Sequence, residues 1–437
     1  MSQLKQVARQ IFFRTLAAID IPATMQRKLR RNGTRLSCNG ASFDLLEFKK
    51  LRVVAIGKAA HGMVEGLELV LSPFLNFEGV VSASTPARKR VPGVKYFLGG
   101  HPIPNEESWK AGEAILALLK QCDEKTMVFF LLSGGGSALA ELPLEASLTL
   151  EDVQQMNRVL VSCGASIEEI NAVRKHVSAV KGGRLAVAAG RATKLSVAIT
   201  DVPAGHESAL ASGPTFPDSS SVAFVGMILE KYGLLNKFSP RLRKWIENGK
   251  MPESPKSGHP CFTNARFLLL LGMDDLFHPA HHAAEAAGCV TRCDNSTDDW
   301  PVDRAAEFLL EQLKNLRKEN PGRRVALIAD GEVSSPVTGN GIGGRNSAFV
   351  LACVERIAER KIVVLSAGTD GIDGNSAAAG AVADGETLRQ ARAMGLDAAE
   401  AFRQSDAFTF FSRLEDTIVT GPTGNNLRDL RILIAEP

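Results

Sequence analysis

The alternation of hydrophobic and polar positions predicts a chain in which strands and helices follow one another in turn. Short runs rich in branched apolar residues stop at glycines, which is typical of strands buried on both faces of a sheet. The segments between them carry apolar residues at helical spacing. Strands are predicted near residues 51–56, 80–84, 127–132, 195–199, 267–271, 288–293, 325–329, 362–366 and 417–420. This alternation favours an α/β fold built on a doubly wound parallel sheet.

A stretch rich in proline, lysine, serine and glycine over residues 236–262 is the best candidate for a linker. The chain has 437 residues, a length for which two or three domains are expected. We therefore expect one α/β domain before this stretch and a second α/β region after it.

The composition is that of an ordinary globular protein, with 45% hydrophobic and 23% charged residues. A net charge of +3 argues against a dedicated nucleic-acid-binding protein. No apolar run approaches the roughly 18 residues that a membrane span needs, and the amino terminus lacks the apolar core of a signal peptide. Seven cysteines without a framework spacing favour reduced thiols and a cytoplasmic protein.

Two predicted strands of the second region run directly into loops rich in glycine and acidic residues. Glu332 follows the first strand, and Arg345 stands after two glycines at the end of the same loop. Asp370 and Asp373 flank Gly371 after the second strand. Such loops bind ligands in α/β proteins; arginine neutralises anions, and carboxylates hold a metal or accept a proton. The mixture predicts an enzyme that handles phosphate, although Asp-Gly is also a common turn sequence.

A further candidate for phosphate binding is the loop Ser133-Gly134-Gly135-Gly136-Ser137, between a predicted strand and a predicted helix. Successive backbone N–H groups there can surround an anion, and a helix N-terminus adds a positive dipole. The loop matches neither the Walker A pattern nor the dinucleotide pattern G-x-G-x-x-G. Lys58 follows another strand directly, where a lysine can reach a β- or γ-phosphate. The alternatives are a tight turn that needs small residues and an ordinary exposed lysine.

A predicted helix over residues 168–181 places an apolar stripe beside a polar one. The apolar stripe is Ile170, Val173, Val177 and Val180, and the polar residues of the helix are Asn171, Arg174, Lys175, Ser178 and Lys181. The polar residues can bind phosphate or form a solvated face, and both interpretations stay open. Asp201 ends the strand near residues 195–199 and adds a carboxylate at a loop.

Taken together, these segments resemble the glycerate 2-kinase family, which carries a MOFRL domain and includes members with the older name hydroxypyruvate reductase. The shared motifs, in order, are Gly57-Lys58-Ala-Ala, His101-Pro-Ile-Pro-Asn, Ser133-Gly-Gly-Gly-Ser-Ala, Asn171-Ala-Val-Arg-Lys-His, Lys181-Gly-Gly-Arg-Leu, Asp201-Val, Ala211-Ser-Gly-Pro-Thr, Gly343-Gly-Arg-Asn, Gly368-Thr-Asp-Gly-Ile-Asp-Gly and Gly421-Pro-Thr-Gly. The resemblance implies a Rossmann-like domain over residues 1–245 and an α/β region over residues 246–437, with the MOFRL domain at about 324–437. It places the active site in the cleft between the domains.

The resemblance also implies a reaction. Family members transfer the γ-phosphoryl group of ATP to the 2-hydroxyl group of D-glycerate, with Mg²⁺, and give 2-phosphoglycerate. Lys58 and Arg345 match the catalytic lysine and arginine of the family, and Asp201 is expected to act beside them. The ATP phosphates are expected at Ser133, Gly134, Gly135, Gly136, Ser137, Asn171, Arg174 and Lys175. The Mg²⁺ ligands and the base for the 2-hydroxyl proton are expected among Asp201, Glu332, Asp370 and Asp373, without separate assignments. The sequence leaves the oligomeric state open, a homodimer included.

Four segments depart from the family pattern at loop ends. They are Ala204-Gly205-His206, Gly272-Met273-Asp274, Ser347-Ala348 and Asn425-Asn426. These departures leave room for a related hydroxy acid as the substrate. An NAD(P)-dependent hydroxypyruvate reductase and a non-catalytic regulator that binds a nucleotide or a sugar acid also stay open. The reductase would need a nicotinamide site, yet we find no G-x-G-x-x-G pattern with an acidic residue about 20 positions on.

Overall fold

The computed structural model describes residues 2–73, 76–200, 202, 205–425 and 427–437. The chain forms two compact units. The larger unit is Ile21–Leu270, and the smaller unit combines Met1–Asp20 with Leu271–Pro437. Within the described residues, no helix is both long enough and apolar enough to cross a membrane.

The described residues form fifteen strands, numbered here in chain order. They are β1 (Arg30–Asn32), β2 (Arg35–Cys38), β3 (Ala41–Asp44), β4 (Lys50–Ile56), β5 (Glu78–Ala83), β6 (Val94–Leu98), β7 (Thr126–Leu132), β8 (Thr193–Ile199), β9 (Ala265–Leu271), β10 (Val290–Asp294), β11 (Val325–Asp330), β12 (Ile362–Gly368), β13 (Gly380–Asp384), β14 (Thr417–Ile418) and β15 (Asp429–Ala435).

The same parts of the chain form sixteen α-helices. They are α1 (Gln3–Ala18), α2 (Ile21–Lys28), α3 (Ala60–Leu71), α4 (Glu106–Leu119), α5 (Gly136–Leu139), α6 (Leu150–Ser162), α7 (Ile167–Val177), α8 (Arg184–Ala188), α9 (Val222–Lys231), α10 (Pro240–Glu247), α11 (Asp274–Ala286), α12 (Val302–Glu319), α13 (Arg345–Val354), α14 (Thr387–Ala393), α15 (Ala398–Arg403) and α16 (Ala407–Arg413). Short 3₁₀ segments occupy Leu45–Glu47, Glu207–Ser212, Leu235–Lys237 and Pro260–Phe262.

The larger unit is built on a six-stranded sheet with the order β6-β5-β4-β7-β8-β9. Counted from β4, this is the order 3-2-1-4-5-6 of the Rossmann fold. The pairs β4–β5, β5–β6, β4–β7 and β7–β8 are parallel, and every residue of β7 is buried. The predicted doubly wound, Rossmann-like sheet is confirmed, and a separate antiparallel sheet β1-β2-β3 accompanies it.

The order of this sheet reverses between β4 and β7. From β4 the chain adds β5 and β6 on one side, and from β7 it adds β8 and β9 on the other. Open parallel sheets bind ligands outside the carboxyl ends of their strands at such a reversal. Lys58 follows β4 and the Ser133–Ser137 loop follows β7, so both predicted phosphate-binding segments lie at this point.

The smaller unit contains a mixed six-stranded sheet with the order β10-β11-β15-β12-β13-β14. Strands β10 and β11 are parallel, whereas β15 is antiparallel to both β11 and β12. The prediction that β11 and β12 belong to a parallel sheet is wrong, because the carboxyl-terminal strand lies between them. The two strands nevertheless run in the same direction, so the loops that follow them emerge at the same edge of the sheet.

The predicted linker is an integral part of the larger unit. Within it, α10 buries Trp245, and Met251 is buried after the helix ends. Ser254 Oγ donates a hydrogen bond of 2.7 Å to Asp218 Oδ2. The stretch is therefore a packed segment and not a linker, with Trp245, Met251 and Ser254 buried.

The compact units differ from the predicted domains in two respects. The first unit ends at Leu270, after the predicted linker, and α1 is grouped with the smaller unit. In that unit Lys5 Nζ lies 2.6 Å from Asp416 Oδ2, and both side chains are buried. The family-domain ranges 1–245 and 246–437 stay a prediction, because a compact unit need not coincide with a family domain.

Candidate active site

The loops after β4 and β7 are joined by backbone hydrogen bonds. Lys58 N–H donates to the Gly134 carbonyl at 3.0 Å, and Ala59 N–H donates to Ser133 Oγ at 3.0 Å. Gly57 has a φ of +136°, and a Cβ there would lie 2.6 Å from the Ser133 carbonyl oxygen. Only glycine allows this approach without strain. The two predicted phosphate-binding segments therefore form one rigid structure.

The side chain of Lys58 lies over the glycine loop, next to an imidazole. A Cβ on Gly135 would lie 3.4 Å from Lys58 Cγ and 3.1 Å from His101 Cδ2. Gly135 has a φ of +81°, which turns the chain into α5. The sequence alone is compatible with a substrate-lining loop or a rigid connector around His101, and the structure shows that this loop contributes a side chain to the glycine loop.

The helix that follows the glycine loop is short. It is α5, which has four residues, so the predicted contribution of a helix dipole is small. The N–H groups at the start of a helical turn have no partner within the helix. Any anion binding by this loop therefore depends on the N–H groups of Gly134–Ser137 and on Lys58.

A chain of side-chain hydrogen bonds fixes the end of the glycine loop. Ser137 Oγ lies 2.8 Å from Ser212 Oγ, and Ser212 Oγ donates to Asn171 Oδ1 at 3.0 Å. Ala211 and Ser212 have φ angles of +50° and +59°, which non-glycine residues rarely adopt. Strained backbone of this kind persists where surrounding structure holds it, often at functional sites. The sequence analysis includes Ser212 in a shared motif but gives it no role.

The polar residues of the predicted helix 168–181 are not a solvated face. The helix ends at Val177, and Lys181 lies beyond it, buried with its Nζ 2.5 Å from Glu141 Oε2. Glu141 also accepts a 2.5 Å hydrogen bond from Ser178 Oγ. Burial lowers the pKa of Lys181, and the charge of Glu141 opposes that effect. These residues form a buried polar network around Glu141, which the sequence does not reveal.

Arg174 belongs to the same region and is half-buried. Its Nε donates to Asn157 Oδ1 at 2.8 Å. Burial lowers the pKa of the guanidinium, and the nearby charge of Glu141 opposes this. Asn171 and Arg174 are one helical turn apart, so they lie on the same side of α7.

Lys175 points to a different partner. Its Nζ lies 3.1 Å from Asp218 Oδ1, and both side chains are buried. Asp218 also accepts 2.7 Å hydrogen bonds from Ser220 and Ser254. Burial alone would raise the pKa of Asp218, but these hydrogen bonds and the lysine lower it overall. The predicted phosphate-binding role of Lys175 gains no support from this position, and the predicted catalytic Asp201 lies outside the described residues.

In the smaller unit, Arg345 is held between two carboxylates. Its Nε donates to Asp429 Oδ2 at 2.5 Å, and its two Nη atoms lie 2.7 and 2.6 Å from the oxygens of Glu332. Burial alone lowers the pKa of Arg345, but Asp429 and then Glu332 outweigh it and raise the pKa. The side chain of Asp429 is 5% exposed and that of Glu332 is 46% exposed. The sequence predicted Glu332 and Arg345 at one site but missed Asp429.

Asp373 caps a helix. Its carboxylate accepts hydrogen bonds of 2.9 Å from the N–H groups of Asn346 and Ser347, and one of 2.6 Å from Ser347 Oγ. Burial raises the pKa of Asp373, although these hydrogen bonds oppose the shift. Both oxygens are thus engaged at the start of α13, so this residue is poorly placed for the predicted metal. Ser347, one of the departures from the family pattern, is part of this cap.

Asp370 lies close to Gly368, as does Asp429, a partner of Arg345. Asp370 Oδ1 accepts a hydrogen bond of 3.0 Å from Ile372 N–H. A Cβ on Gly368 would lie 3.0 Å from Asp370 Oδ1 and 3.3 Å from Asp429 Oδ1. The two carboxylates therefore flank Gly368, and any larger residue there would push against them.

Several glycines of the smaller unit let loops approach one another. A Cβ on Gly371 would lie 2.7 Å from Thr420 Oγ1, and one on Gly374 would lie 2.7 Å from Gly344 Cα. Gly339, Gly341 and Gly344 do have the G-x-G-x-x-G spacing, contrary to the sequence-based expectation. However, Cβ atoms on Gly339 and Gly341 would meet residues 404–406, and Asp373 occupies the helix start where a pyrophosphate would bind.

The residues that the structure describes contain no group of three His, Cys, Asp or Glu side chains that could hold a metal ion. Mg²⁺ in phosphoryl-transfer enzymes is commonly held by one or two carboxylates together with substrate phosphates. Glu332 is half exposed, as such a ligand must be, and Asp370 Oδ1 accepts a hydrogen bond within its own turn.

The chain is similar to known proteins over most of its length. A family model described as a domain of unknown function (DUF4147) matches residues 7–247, and the MOFRL family model matches residues 325–429. A D-glycerate 2-kinase of Thermotoga maritima is 35% identical over 390 residues, which cover 89% of this chain and 91% of that protein. The crystal structure of glycerate kinase from Thermotoga maritima has a TM-score of 0.83 and 32% identity, and covers 99% of both chains. An Agrobacterium vitis relative with a provisional hydroxypyruvate reductase name is 32% identical, over 87% of this chain and 86% of that protein.

Proposed function

This chain belongs to the glycerate kinase family, and we propose that it transfers the γ-phosphoryl group of ATP to the 2-hydroxyl group of D-glycerate. The products are 2-phosphoglycerate and ADP, and the enzyme is a phosphotransferase with an alcohol as acceptor. The observation that carries the proposal is the joined pair of loops at the reversal of the Rossmann sheet, with Lys58 over Gly135. Phosphoryl transfer depends mainly on positioning and charge stabilisation, which this arrangement can supply.

In the larger unit, the glycine loop and Lys58 bind ATP phosphates. The N–H groups of Gly134–Ser137 donate to phosphate oxygens, and the ammonium of Lys58 offsets their negative charge. Ser212 and Asn171 hold Ser137 and thereby the loop. Arg174 is a candidate ligand for phosphate or for the glycerate carboxylate.

In the smaller unit, Arg345 stabilises the phosphoryl group during transfer. Two carboxylates compensate its charge before the substrate binds. Since Asp429 is buried and Glu332 is half exposed, Glu332 is the partner that a phosphoryl group displaces. Asp429 stays in place and keeps the guanidinium oriented. Once released, Glu332 becomes available as a metal ligand or as the base for the 2-hydroxyl proton, with Asp370 as the other candidate.

Mg²⁺ would enter with ATP and neutralise charge that develops on the phosphate oxygens. Glu332 and Asp370 would hold it from this chain. Of the three predicted carboxylates that the structure describes, Asp373 is the least suitable, because its oxygens accept three hydrogen bonds at the start of α13.

The location and the partners of the enzyme follow from the same proposal. All seven cysteines are free thiols, which agrees with the predicted cytoplasmic location. The partner in catalysis is a small hydroxy acid, and a homodimer stays a prediction.

The decisive experiment mixes the purified chain with ATP, Mg²⁺ and D-glycerate. We expect ADP release together with 2-phosphoglycerate, identified by phosphorus NMR against the 3-phospho isomer. Release of ADP with a different hydroxy acid would correct the substrate, and an intact ATP pool would overturn the proposal.

The reductase alternative is tested in the same preparation. Hydroxypyruvate and NADH or NADPH are added, and the absorbance of the reduced cofactor is followed. We expect no decay above the rate without protein. A relative carries the reductase name, but the glycines with dinucleotide spacing at 339–344 are packed against neighbouring backbone and side chains.

A further inference from the structure

A cavity of about 360 Å³ lies in the smaller unit, between α12 and the segment that follows α13. Cavities that bind small ligands commonly measure about 300–1,000 Å³. The apolar part of its wall is formed by Leu310, Leu313, Ile357, Ile362 and Ala435. The cavity therefore has the size of a small-molecule site and an apolar surface on which the body of a ligand can pack.

This cavity lies at the edge of the sheet opposite to Arg345. Ile362 is the first residue of β12 and Ala435 is the last residue of β15, and the two are paired in the sheet. The loops that lead to Arg345 and Asp370 follow the other ends of β11 and β12. At about 3.3 Å per residue, β12 alone spans about 20 Å. The cavity is therefore separate from the residues of the smaller unit to which we assign the reaction.

Six charged side chains also line the cavity, and the cations outnumber the carboxylates. They are Glu307, Glu311, Lys314, Arg317, Arg356 and Arg360. Lys314 Nζ lies 3.0 Å from Glu311 Oε2, so the charges of these two residues compensate each other. Three guanidinium groups and the single carboxylate of Glu307 are left. The cavity is therefore expected to attract anions.

Two of the three guanidinium groups are available to a ligand. Arg356 Nη1 donates to the Ala352 carbonyl at 2.5 Å, whereas within the described residues no hydrogen bond or ion pair engages the side chain of Arg317 or Arg360. Arg317 is half-buried on α12, and Arg360 is exposed in the segment before β12. A guanidinium group can donate two parallel hydrogen bonds to a carboxylate or a phosphate. Two different elements thus present donors for one anionic group.

The lining favours a ligand with two chemically different parts. Inorganic phosphate would engage the guanidinium groups but leave the apolar wall in contact with water. An uncharged apolar molecule would cover the wall but leave the guanidinium groups without an anion. We propose that this cavity binds a small organic anion, in which an apolar body carries a carboxylate or a phosphate group. The site does not depend on the proposed kinase reaction.

The first test is titration calorimetry of the full chain with phenyl phosphate, phenylacetate and benzyl alcohol. The first two probes carry an anionic group on an apolar ring, and the third carries the ring without the charge. We expect at least one of the anions to bind about tenfold more tightly than benzyl alcohol or better. The anion that binds more tightly distinguishes a phosphate ligand from a carboxylate ligand. No binding of either anion, or equal affinity for benzyl alcohol, would overturn the proposal.

The second test assigns this binding to the cavity. Arg317→Ala combined with Arg360→Ala removes both available donors, so we expect the affinity for the anion to fall by about tenfold or more. Arg392→Ala combined with Arg413→Ala removes two exposed arginines of α14 and α16 outside the lining and should match the wild type. An anion held only by the proposed catalytic residues would bind both double variants equally, and that result would contradict the proposal.

Arg360→Glu guards against a folding defect in the double variant. Arg360 is exposed, so the reversal of its charge disturbs no core packing. We expect R360E to weaken anion binding by about tenfold or more, because a carboxylate replaces a donor, and Arg392→Glu to leave it unchanged. Wild-type affinity in R360E would refute the site. The titrations contain neither ATP nor glycerate, so their outcome is independent of the product assay that tests the kinase proposal.

Discussion

In both units, buried strands are followed by loops that contain glycine and charged residues. The glycines of these loops serve different purposes in the two units. In the larger unit, Gly57 lets the loops after β4 and β7 join, and the side chain of Lys58 lies over the glycine loop. In the smaller unit, Gly371 and Gly374 let loops pack on one another. The larger unit thus adds a glycine loop that we propose binds anions, whereas the glycines named in the smaller unit serve loop packing.

The charged residues differ in the same way. Arg345 is bound by two carboxylates, so a phosphoryl group must replace one of them. Asp373 is engaged by a helix start. Glycine and charge in a loop therefore do not identify an anion site until the partners of the donors and cations are known. The smaller unit must exchange a partner of Arg345 before it can bind a phosphoryl group there.

The largest effect is expected from Lys58→Ala, which tests the role proposed for the larger unit. We expect kcat to fall by about 10³-fold, because the cation beside the transferred charge is lost. The melting temperature should change little, since Lys58 is only half-buried at a loop. Lys58→Arg should recover part of the rate, and Lys110→Ala, at an exposed lysine of α4, should behave as wild type. A K58A enzyme with near-normal kcat would contradict the catalytic role proposed for Lys58.

Arg345→Ala tests the partner exchange in the smaller unit. We expect kcat to fall by about 10²-fold to 10³-fold. Stability should fall by about 2 kcal/mol, because buried Asp429 loses its guanidinium; the half-exposed side of the ion pair limits the cost. The rate is measured by ADP release and the free energy of unfolding by denaturant titration.

A second substitution separates the two effects of Arg345. Adding Asp429→Asn should return most of the lost stability but none of the rate, since the buried charge is gone while the guanidinium is still absent. Arg389→Ala, at an exposed arginine of α14, is the control. If the double variant regains kcat, Arg345 has a structural role only.

The parts of this comparison that the sequence predicts are local in origin. The strand before Ser133 is apolar from Met127 to Leu132, and the strand before Lys58 is apolar from Val53 to Ile56, so both the strands and the glycine loops after them are visible in a short window. The parallel direction of these strands then brings their loops to one edge of the sheet.

The parts that the sequence does not predict depend on distant partners. Strand β15 was not among the predicted strands, and its Arg431 depends on such distant partners. The guanidinium is buried and donates at 2.8 Å to the carbonyls of Asp330 and Gly331, about a hundred positions earlier. Asp429, at the start of the same strand, is missed for the same reason. The capping role of Asp373 depends on a helix start at Arg345, which no local pattern around Asp373 reveals.

The Lys175–Asp218 ion pair allows a further test of the larger unit, because Lys175 was predicted to bind phosphate. Asp218→Asn should lower the free energy of unfolding by about 3 kcal/mol at neutral pH, since the buried lysine loses its counterion. The pKa of Asp218 is lowered in the folded state, so its contribution is present above about pH 4 and lost as the pH falls through the folded pKa. Unfolding titrations should therefore show the gap between wild type and D218N closing in acid.

The kinetic side of this prediction uses Lys175→Met. We expect the KM for ATP to stay at the wild-type value, and Lys175→Met combined with Asp218→Asn to be more stable than either single variant. A K175M protein with normal stability and a KM for ATP raised about tenfold would instead place Lys175 among the phosphate ligands.

The smallest expected effect concerns Ser212, which joins Ser137 to Asn171. Ser212→Ala and Ser212→Gly both remove the hydroxyl, so the glycine loop loses one anchor and the KM for ATP should rise a few-fold with kcat nearly unchanged. Alanine keeps the strain of a positive φ whereas glycine relieves it, so S212A should be less stable than S212G by about 1 kcal/mol. Steady-state kinetics and thermal melting measure the two effects independently. If S212G keeps the wild-type KM, the hydrogen-bonded chain is not what holds the loop, and the preparation of the larger unit for phosphate rests on the backbone bonds between β4 and β7 alone.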